Sequence, residues 1–292
     1  ADKNSHSWKF AEKIHNYIQS EKETFFPLEE VCIDYFRNNE INMHVPKNVR
    51  GKEIYFIHDS TKDPQDWWVQ LLLLKDLLLN SSAKNITFVL PDMLYSRKDR
   101  KERPHVPISA RALARTISPN LRKIITMDLH AEQIQGFYPE NVPLDNLHSF
   151  PELVRYLKEN PRDINELEHL VIMSPDVGGA DRARAFAQKL GSVYSIALIE
   201  KRRVEAGEVK EMRLVGDVKD KDVLIIDDII DSGGTLCSAA GLLKKEGAKK
   251  LICYGTHGLF TQSTQELLKY FDRIMTSNTH YQEGNTAEVI DM

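Results

Sequence analysis

Cysteine is scarce in this chain. Only Cys32, Cys237 and Cys253 occur among 292 residues, too few and too scattered for a disulfide framework or a zinc site. A reducing compartment is therefore expected, and since no charged-then-apolar leader pattern precedes Trp8, the expected location is cytoplasmic. Long apolar runs are missing too. The most apolar stretch, Trp67 to Leu79, is interrupted by Gln70, Lys75 and Asp76, so it does not read as a membrane span. Charge of one sign is not in excess: a net charge of -4 gives no electrostatic footing for nucleic acid. With 41% apolar and 28% charged residues the chain reads as an ordinary globular protein, and its length predicts about two domains.

The most informative stretch runs from Val223 to Leu236. Val223 to Ile226 are apolar and β-favouring, as in a strand buried on both faces. The polarity then changes abruptly at Asp227 and Asp228, followed by Asp231-Ser232-Gly233-Gly234-Thr235. Helical character resumes from Ser238 to Lys245 and closes at Gly247. A strand, a polar glycine loop and a helix point backbone N–H groups and a helix N-terminus at an anion. The glycines permit close backbone approach, and Ser232 and Thr235 add hydroxyl donors. The paired acids do not suit a phosphate; they suit ribose hydroxyls or a divalent cation. The loop is not a Walker A motif, because the Lys-Ser/Thr ending is absent. A plain βα turn with a helix cap would explain Gly-Gly-Thr alone, but not the acids beside it.

Taken in order, the chain alternates strands and helices. A helix pattern in 1–22 places Phe10, Ile14 and Ile18 four apart. Glu30 to Phe36 and Glu53 to His58 read as strands, with a turn at Asn38-Asn39-Glu40 between them. Asp66 to Leu79 reads as a helix apolar all round, buried in the core or at a subunit interface. After a strand at Asn85 to Leu90 comes a loop with five basic residues in the seven positions 97–103, placed to face a polyphosphate. Pro107 opens a helix through Ile117. The strand Lys123 to Met127 leads to Asp128-Leu129-His130-Ala131, then a helix from Glu132. There His130 reads as a metal or phosphate contact rather than a buried structural imidazole. The proline-bearing stretch Pro139 to Glu168 marks a boundary. A second series follows: strand Leu170 to Met173, then Ser174-Pro175-Asp176-Val177-Gly178-Gly179, and a helix to Leu190. Strand Val193 to Ile199 stops at Glu200-Lys201-Arg202-Arg203, with a mobile flap expected at Val204 to Lys210. The chain ends with a strand at Lys249 to Tyr254, a helix at Thr261 to Tyr270 and a last strand at Arg273 to Met275. The pattern predicts two α/β domains, residues 1–146 and 147–292, each with a mostly parallel sheet.

Asp128 to Phe137, Ser174 to Gly179, Glu200 to Arg203 and the Asp227 loop together resemble the ribose-phosphate pyrophosphokinases, the synthases of phosphoribosyl pyrophosphate (PRPP). Asn4-Ser5-His6 is similar to that family's N-terminal signature, so the resemblance spans nearly the whole chain. It implies an α/β fold of two phosphoribosyltransferase-like domains, each a mostly parallel sheet flanked by helices, assembled as a homo-oligomer of dimers. It implies transfer of the diphosphoryl group of MgATP to the 1-hydroxyl of ribose 5-phosphate, giving PRPP and AMP, without nucleic-acid or membrane partners. Under the resemblance Ser232, Gly233, Gly234 and Thr235 hold the 5-phosphate, while Asp227 and Asp228 hold ribose hydroxyls, with Asp231 opening the loop. His130 and Asp176 match Mg²⁺ positions, and Lys201 and Arg203 match flap cations that act on the transferring group. Arg97, Lys98 and Asp99 match the ATP-side loop. Phe36, Asn38, Asn39 and Glu40 match an adenine-binding turn contributed by a neighbouring subunit.

Three departures stand out. The adenine turn is Asn38-Asn39-Glu40 where the family usually has Asp/Asn-Gly-Glu; asparagine tolerates positive φ, so the turn is expected to survive. Lys98 stands where glutamine is common, adding a cation beside the polyphosphate. The chain stops at Met292, short of the C-terminal helix usual in the family. Two rival readings compete with this one. A phosphoribosyltransferase consuming PRPP explains the Asp227 loop but neither the Asp128–Phe137 run nor a second α/β half. A catalytically silent regulatory homologue should have lost flap or metal residues, yet Lys201, Arg203, His130 and Asp176 are all present.

Overall fold

The structure is a computed structural model. It describes residues 1–21, 26–160, 170–191, 195–205, 208–262, 264–280 and 286–292, with the side chains of these except 201–205 and 208–211. Two compact units emerge: Ala1–Leu147 with Thr279–Tyr281, and His148–Asn278 with Gln282–Met292.

In the first unit, helix α1 (Ser7–Glu21) precedes an antiparallel pair, β1 (Cys32–Tyr35) and β2 (Ile41–His44), in register Cys32↔His44 to Tyr35↔Ile41. A four-stranded, wholly parallel sheet follows in the order β3 (Glu53–Ile57), β4 (Asn85–Leu90), β5 (Lys123–Met127), β6 (Leu144–Leu147). Helix α2 (Pro64–Asn80) links β3 to β4, and α3 (Ser109–Ile117) links β4 to β5. Helix α2 starts where Pro64 needs no N–H partner and the Asp63 carboxylate accepts from Gln65 N at 2.9 Å. Trp67, Leu71, Leu74 and Leu78, spaced three and four apart, are buried against Phe88, Leu113 and Ile124. Each such side chain contributes roughly 1.5–3 kcal/mol by leaving water. The opposite face, with Val69, Leu73 and Leu79, is exposed in the single chain, so α2 is buried on one side only.

The second unit begins with α4 (Phe150–Glu159), β7 (Val171–Ser174), α5 (Ala180–Leu190), β8 (Ser195–Glu205) and β9 (Glu208–Val215). It continues with β10 (Val223–Ile230), α6 (Gly234–Lys245), β11 (Leu251–Gly258), α7 (Gln265–Leu268), β12 (Arg273–Ser277) and β13 (Glu288–Ile290). The seven strands lie in the order β13-β12-β11-β10-β7-β8-β9, parallel except for the β8–β9 ribbon. Both sheet faces are covered. Val223 and Ile225 pack with Leu236, Ala239 and Leu243 of α6, whereas Leu224 and Ile226 pack with Phe186 and Ala183 of α5. That two-sided burial is why β10 and β11 open with unbroken apolar runs, Val223 to Ile226 and Leu251 to Tyr254.

Several expected boundaries move. The stretch after Pro139 forms β6 and α4, because Pro151 sits in the first helical turn where no N–H is needed, and Phe150, Leu153, Val154 and Leu157 make a buried stripe. Its residues 161–168 lie outside the described ones. The helix expected at Thr261 to Tyr270 is reduced to α7, and the strand at Arg273 runs to Ser277 and is followed by β13. Strand β10 continues past Ile226, since Ile229 and Ile230 keep pairing with His257 and Gly258, so the two acids lie inside the strand. The backbone of the expected flap lies on an antiparallel ribbon in which Lys201 pairs with Met212 and Arg203 with Val209; positions 206–207 lie outside the described residues. The helix after His130 is a short 3-10 turn, Glu132–Phe137.

His58, immediately after β3, is 1% exposed. Its ring stacks on Trp67 at 5.5 Å and its Nε2 lies 3.0 Å from the Trp67 carbonyl. Burial pushes its pKa down to about 4. Because the unfolded chain takes up this proton near the ordinary value, stability is expected to fall as pH drops from about 6.5 to about 4, by about 3 kcal/mol in all. Thermal unfolding of the protein and of His58→Gln across that window checks this. The variant should show a flatter profile, and a profile as steep as the parent's would contradict the assignment.

Candidate active site

The strand order of the second unit reverses between β7 and β10: the chain passes from β7 to β8 on one side and returns to β10 on the other. The crevice beyond the carboxyl ends of such strands is where open α/β sheets place ligands. Asp176 lies at the end of β7, and Asp227, Asp228 and the Asp231–Thr235 loop at the end of β10. Asp176 is exposed and its carboxylate accepts from Gly179 N at 3.0 Å, folding back over the Gly178-Gly179 turn. Gly179 is required there, for a Cβ would lie 2.4 Å from Ser174 Oγ.

The loop after β10 is held in shape by Gly233. Its φ is +78°, and a Cβ would lie 2.9 Å from Leu267 of α7, so both the backbone and the space demand glycine. Gly234 begins α6, whose first-turn N–H groups lack partners within the helix by helical geometry. Ser232, Gly234 and Thr235 are exposed, leaving an open cradle with hydroxyl and N–H donors. The N-terminal end of α6 is the pole that favours an anion, while Lys244 and Lys245 lie at the opposite pole, which favours cations. The Thr261 hydroxyl donates to the Asp231 carboxylate, tying the segment after β11 to the start of the loop.

The acids behind the cradle are unusual. Asp228 is buried, while Asp227 is partly open, and Asp227 Oδ1 accepts from Asp228 N at 3.0 Å. Burial first, then the neighbouring Asp228, pushes the Asp227 carboxyl well above the usual carboxylate range; Arg182 pulls it down, and Asp176 adds to the upward push. Arg182 Nη1 lies 2.7 Å from Asp228 Oδ1 and 3.7 Å from Asp227 Oδ1. A strand-end acid pair with a raised pKa beside an anion cradle matches a ligand carrying hydroxyls next to a phosphate.

In the first unit, the residues expected on the ATP side lie at two places. The β1–β2 hairpin carries Phe36, Asn38, Asn39 and Glu40, all exposed. Asn39 adopts φ +65°, its N–H donates to the Phe36 carbonyl, and Asn38 Oδ1 accepts from Glu40 N. Asparagine thus occupies the left-handed position that glycine fills in the usual motif. The second place is the neighbouring ends of β4 and β5. Arg97 and Lys98 are exposed, and Lys98 pairs with Glu102, which offsets part of its charge. Asp99 accepts from Gln133 Nε2 at 2.6 Å, joining the basic loop to the segment after His130. His130 is exposed, and Asp128 before it has φ +40°, a left-handed turn out of β5. Among the described residues no group of three or more His, Cys, Asp or Glu side chains forms a metal cluster. The side chains of Lys201 and Arg203 lie outside the described ones.

Arg182, Thr261 and Gln133 were not among the residues singled out from the sequence. Arg182 carried one usable signal: a cation in the first turn of a helix opposes the helix dipole and calls for a local anion. Thr261 and Gln133 carried none, because their partners are distant in sequence.

Residues 3–119 match the model of the N-terminal domain of ribose phosphate pyrophosphokinase, and residues 143–288 match the phosphoribosyl transferase domain. A ribose-phosphate pyrophosphokinase of Rhizobium meliloti is 41% identical over 86% of this chain and 77% of its own length. That of Helicobacter hepaticus is 39% identical over 86% of this chain and 80% of its own. The crystal structure of phosphoribosylpyrophosphate synthetase from Mycobacterium smegmatis superposes with a TM-score of 0.84 at 30% identity, covering 97% of this chain and 90% of that one. Both halves of the chain, with the sheet order and strand-end loops described above, therefore fall under one family: this chain belongs to the ribose-phosphate pyrophosphokinases.

Proposed function

We propose that the protein transfers the diphosphoryl group of MgATP to the 1-hydroxyl of ribose 5-phosphate, forming PRPP and AMP. The observation that carries this reading is the acid pair of β10 set directly behind an open Ser232–Thr235 cradle, in a chain of this family. The cradle takes the 5-phosphate through Ser232, Gly233, Gly234 and Thr235, with Asp231 opening the loop and Asp227 and Asp228 accepting from ribose hydroxyls. Phe36, Asn38, Asn39 and Glu40 take the adenine of a nucleotide, in a homo-oligomer built from dimers, and Arg97, Lys98 and Asp99 line its phosphates. Lys201 and Arg203 supply positive charge to the transferring group. The reaction calls for no covalent intermediate, since phosphoryl-type transfer depends on positioning and on charge neutralisation. A phosphoribosyltransferase reading has no use for a first unit matching the N-terminal pyrophosphokinase domain.

Asp176 in the second unit and His130 in the first are the two residues offered for Mg²⁺ positions, each exposed at a strand end of its own unit. The Asp176 carboxylate fits, since Mg²⁺ usually takes one or two carboxylates and completes its shell with substrate phosphates and water, so a closed protein cluster is not needed; His130 offers one imidazole nitrogen at its own position. When bound, Mg²⁺ neutralises polyphosphate charge. We place the enzyme in the cytoplasm, with small molecules as its substrates; among the described residues no helix is long and apolar enough to cross a membrane.

Incubation with MgATP and ribose 5-phosphate should give equal amounts of AMP and PRPP. The absence of PRPP would overturn the reaction, and turnover seen only with PRPP and a base would favour the transferase. Lys201→Ala is expected to lower kcat about 100-fold or more with a smaller change in KM, because a cation on the transferring group acts in the transition state. An unchanged kcat would remove Lys201 from the mechanism. For Asp227→Asn stability and activity should part. The raised pKa of Asp227 means its ionised form costs the fold stability as pH rises through that pKa, a cost absent at low pH. The amide keeps an oxygen for the Asp228 N–H, so Tm at neutral pH should rise by a few degrees, with the gain shrinking toward pH 4. The KM for ribose 5-phosphate should rise about tenfold or more. A lower Tm at neutral pH would contradict this account.

A further inference from the structure

Arg182 has no role in the reaction as set out above, yet its placement is specific. It stands in the first turn of α5, where the helix dipole disfavours a cation. Its side chain is only 18% exposed, and its Nη1 reaches both acids of β10, at 2.7 Å and 3.7 Å. The pleat of β10 explains why a bridging group is needed. Leu224 and Ile226 face the α5 side of the sheet and Val223 and Ile225 the α6 side, so successive residues alternate. Asp228 lies on the α5 side, where Arg182 meets it, yet Ile230 packs with the α6-side cluster, so the strand changes face around the acids and one guanidinium reaches both. Left alone, two adjacent carboxylates, one buried and one partly open, would turn apart, or one would take up a proton and become a donor instead of an acceptor.

We propose that Arg182 is a positioning residue that holds Asp227 and Asp228 together as a paired acceptor for the vicinal hydroxyls of ribose 5-phosphate, and so sets discrimination against 2-deoxyribose 5-phosphate. This rests on the reading of the β10 site as the ribose 5-phosphate site. The guanidinium fork suits the task because it stays charged and can direct two N–H groups at carboxylate oxygens. The phosphate cradle at Ser232–Thr235 is a separate element. Losing Arg182 should therefore damage recognition of the hydroxyls while sparing recognition of the phosphate.

The test is calorimetric binding of ribose 5-phosphate and 2-deoxyribose 5-phosphate to the full-length protein and to Arg182→Met and Arg182→Lys, with Tm measured for each. Arg182→Met is expected to weaken ribose 5-phosphate about tenfold or more and 2-deoxyribose 5-phosphate by less than about threefold, so the ratio of affinities collapses. Arg182→Lys, which keeps the cation, should retain most of the ratio. Should Arg182→Met not fold, Arg182→Gln carries the same expectation as an uncharged donor. Equal weakening of both sugars marks a merely structural role and overturns the proposal, as does an unchanged ratio. A parent protein that binds ribose 5-phosphate but makes no PRPP loses the proposed reaction and still supports the Arg182 role if the ratio collapses. One that makes PRPP while the variants keep the parent's discrimination overturns the Arg182 role alone. Failure of the parent to bind either sugar overturns both.

Discussion

The ion pair between Arg182 and Asp228, 2.7 Å long and almost sealed from water, is the contact on which the second unit's site depends. Removing one partner of such a pair leaves a buried charge uncompensated, which usually costs more than the intact pair contributes. Here the pair allows a second carboxylate, Asp227, to sit one residue away. The sheet supplies the rest. Because β10 lies between β7 and β11, its end is flanked by Asp176 on one side and by the Thr261 segment on the other. The acids are thus surrounded by backbone fixed in central strands, and the burial that raises the Asp227 pKa follows directly from that position.

The first unit meets a different constraint. The residues proposed for the nucleotide lie on turns and are mostly exposed, so their geometry has to come from local backbone rather than packing. Asn39 at φ +65°, with Asn38 Oδ1 accepting from Glu40 N, makes a self-contained turn at the tip of a two-stranded ribbon. Asp128 at φ +40° plays the corresponding part at the end of β5, turning the chain so that His130 is exposed and the Gln133 amide reaches Asp99. Unfavourable backbone conformations in non-glycine residues persist only where the surroundings enforce them. At Asp128 the enforcement is visible: its N–H donates to the Leu147 carbonyl, and the next N–H, of Leu129, donates to Asn146 Oδ1.

What could be read from residues alone divides along the same line. The Val223–Leu236 stretch was legible because a buried parallel strand, a polar break and a helix leave three different compositional marks in succession. Asn39 was legible because asparagine is one of few residues at ease with positive φ. The α4 segment was not, because Pro151 reads as a breaker until its place in the first turn is known. The extension of β8 past Ile199 and the whole of β9 were hidden for a related reason: β9 is an edge strand, edge strands carry charge to resist further pairing, and a charged strand looks like a loop. Arg182 was hidden because a single arginine at a helix start looks like a solvated side chain. Only the alternation of β10, together with the position of α5, shows that it faces Asp228.

The two halves of the β10 site also differ in what they cost the fold. The phosphate cradle is nearly free of strain once Gly233 is present, since its N–H groups belong to the first turn of a helix that forms anyway and stay open to water until an anion arrives. The acid pair is the reverse: Asp228 is buried, Asp227 is partly so, and the Arg182 guanidinium lies against both. A ligand that brings hydroxyl donors to those carboxylates relieves part of their mutual repulsion at the moment of binding. Phosphate alone would gain only from the cradle, whereas a sugar phosphate gains from both. Under the proposed ribose 5-phosphate reading, the cost carried at Asp227 and Asp228 would act as selectivity: the native fold is less stable for carrying it, and a ligand with hydroxyls set beside its phosphate would remove it.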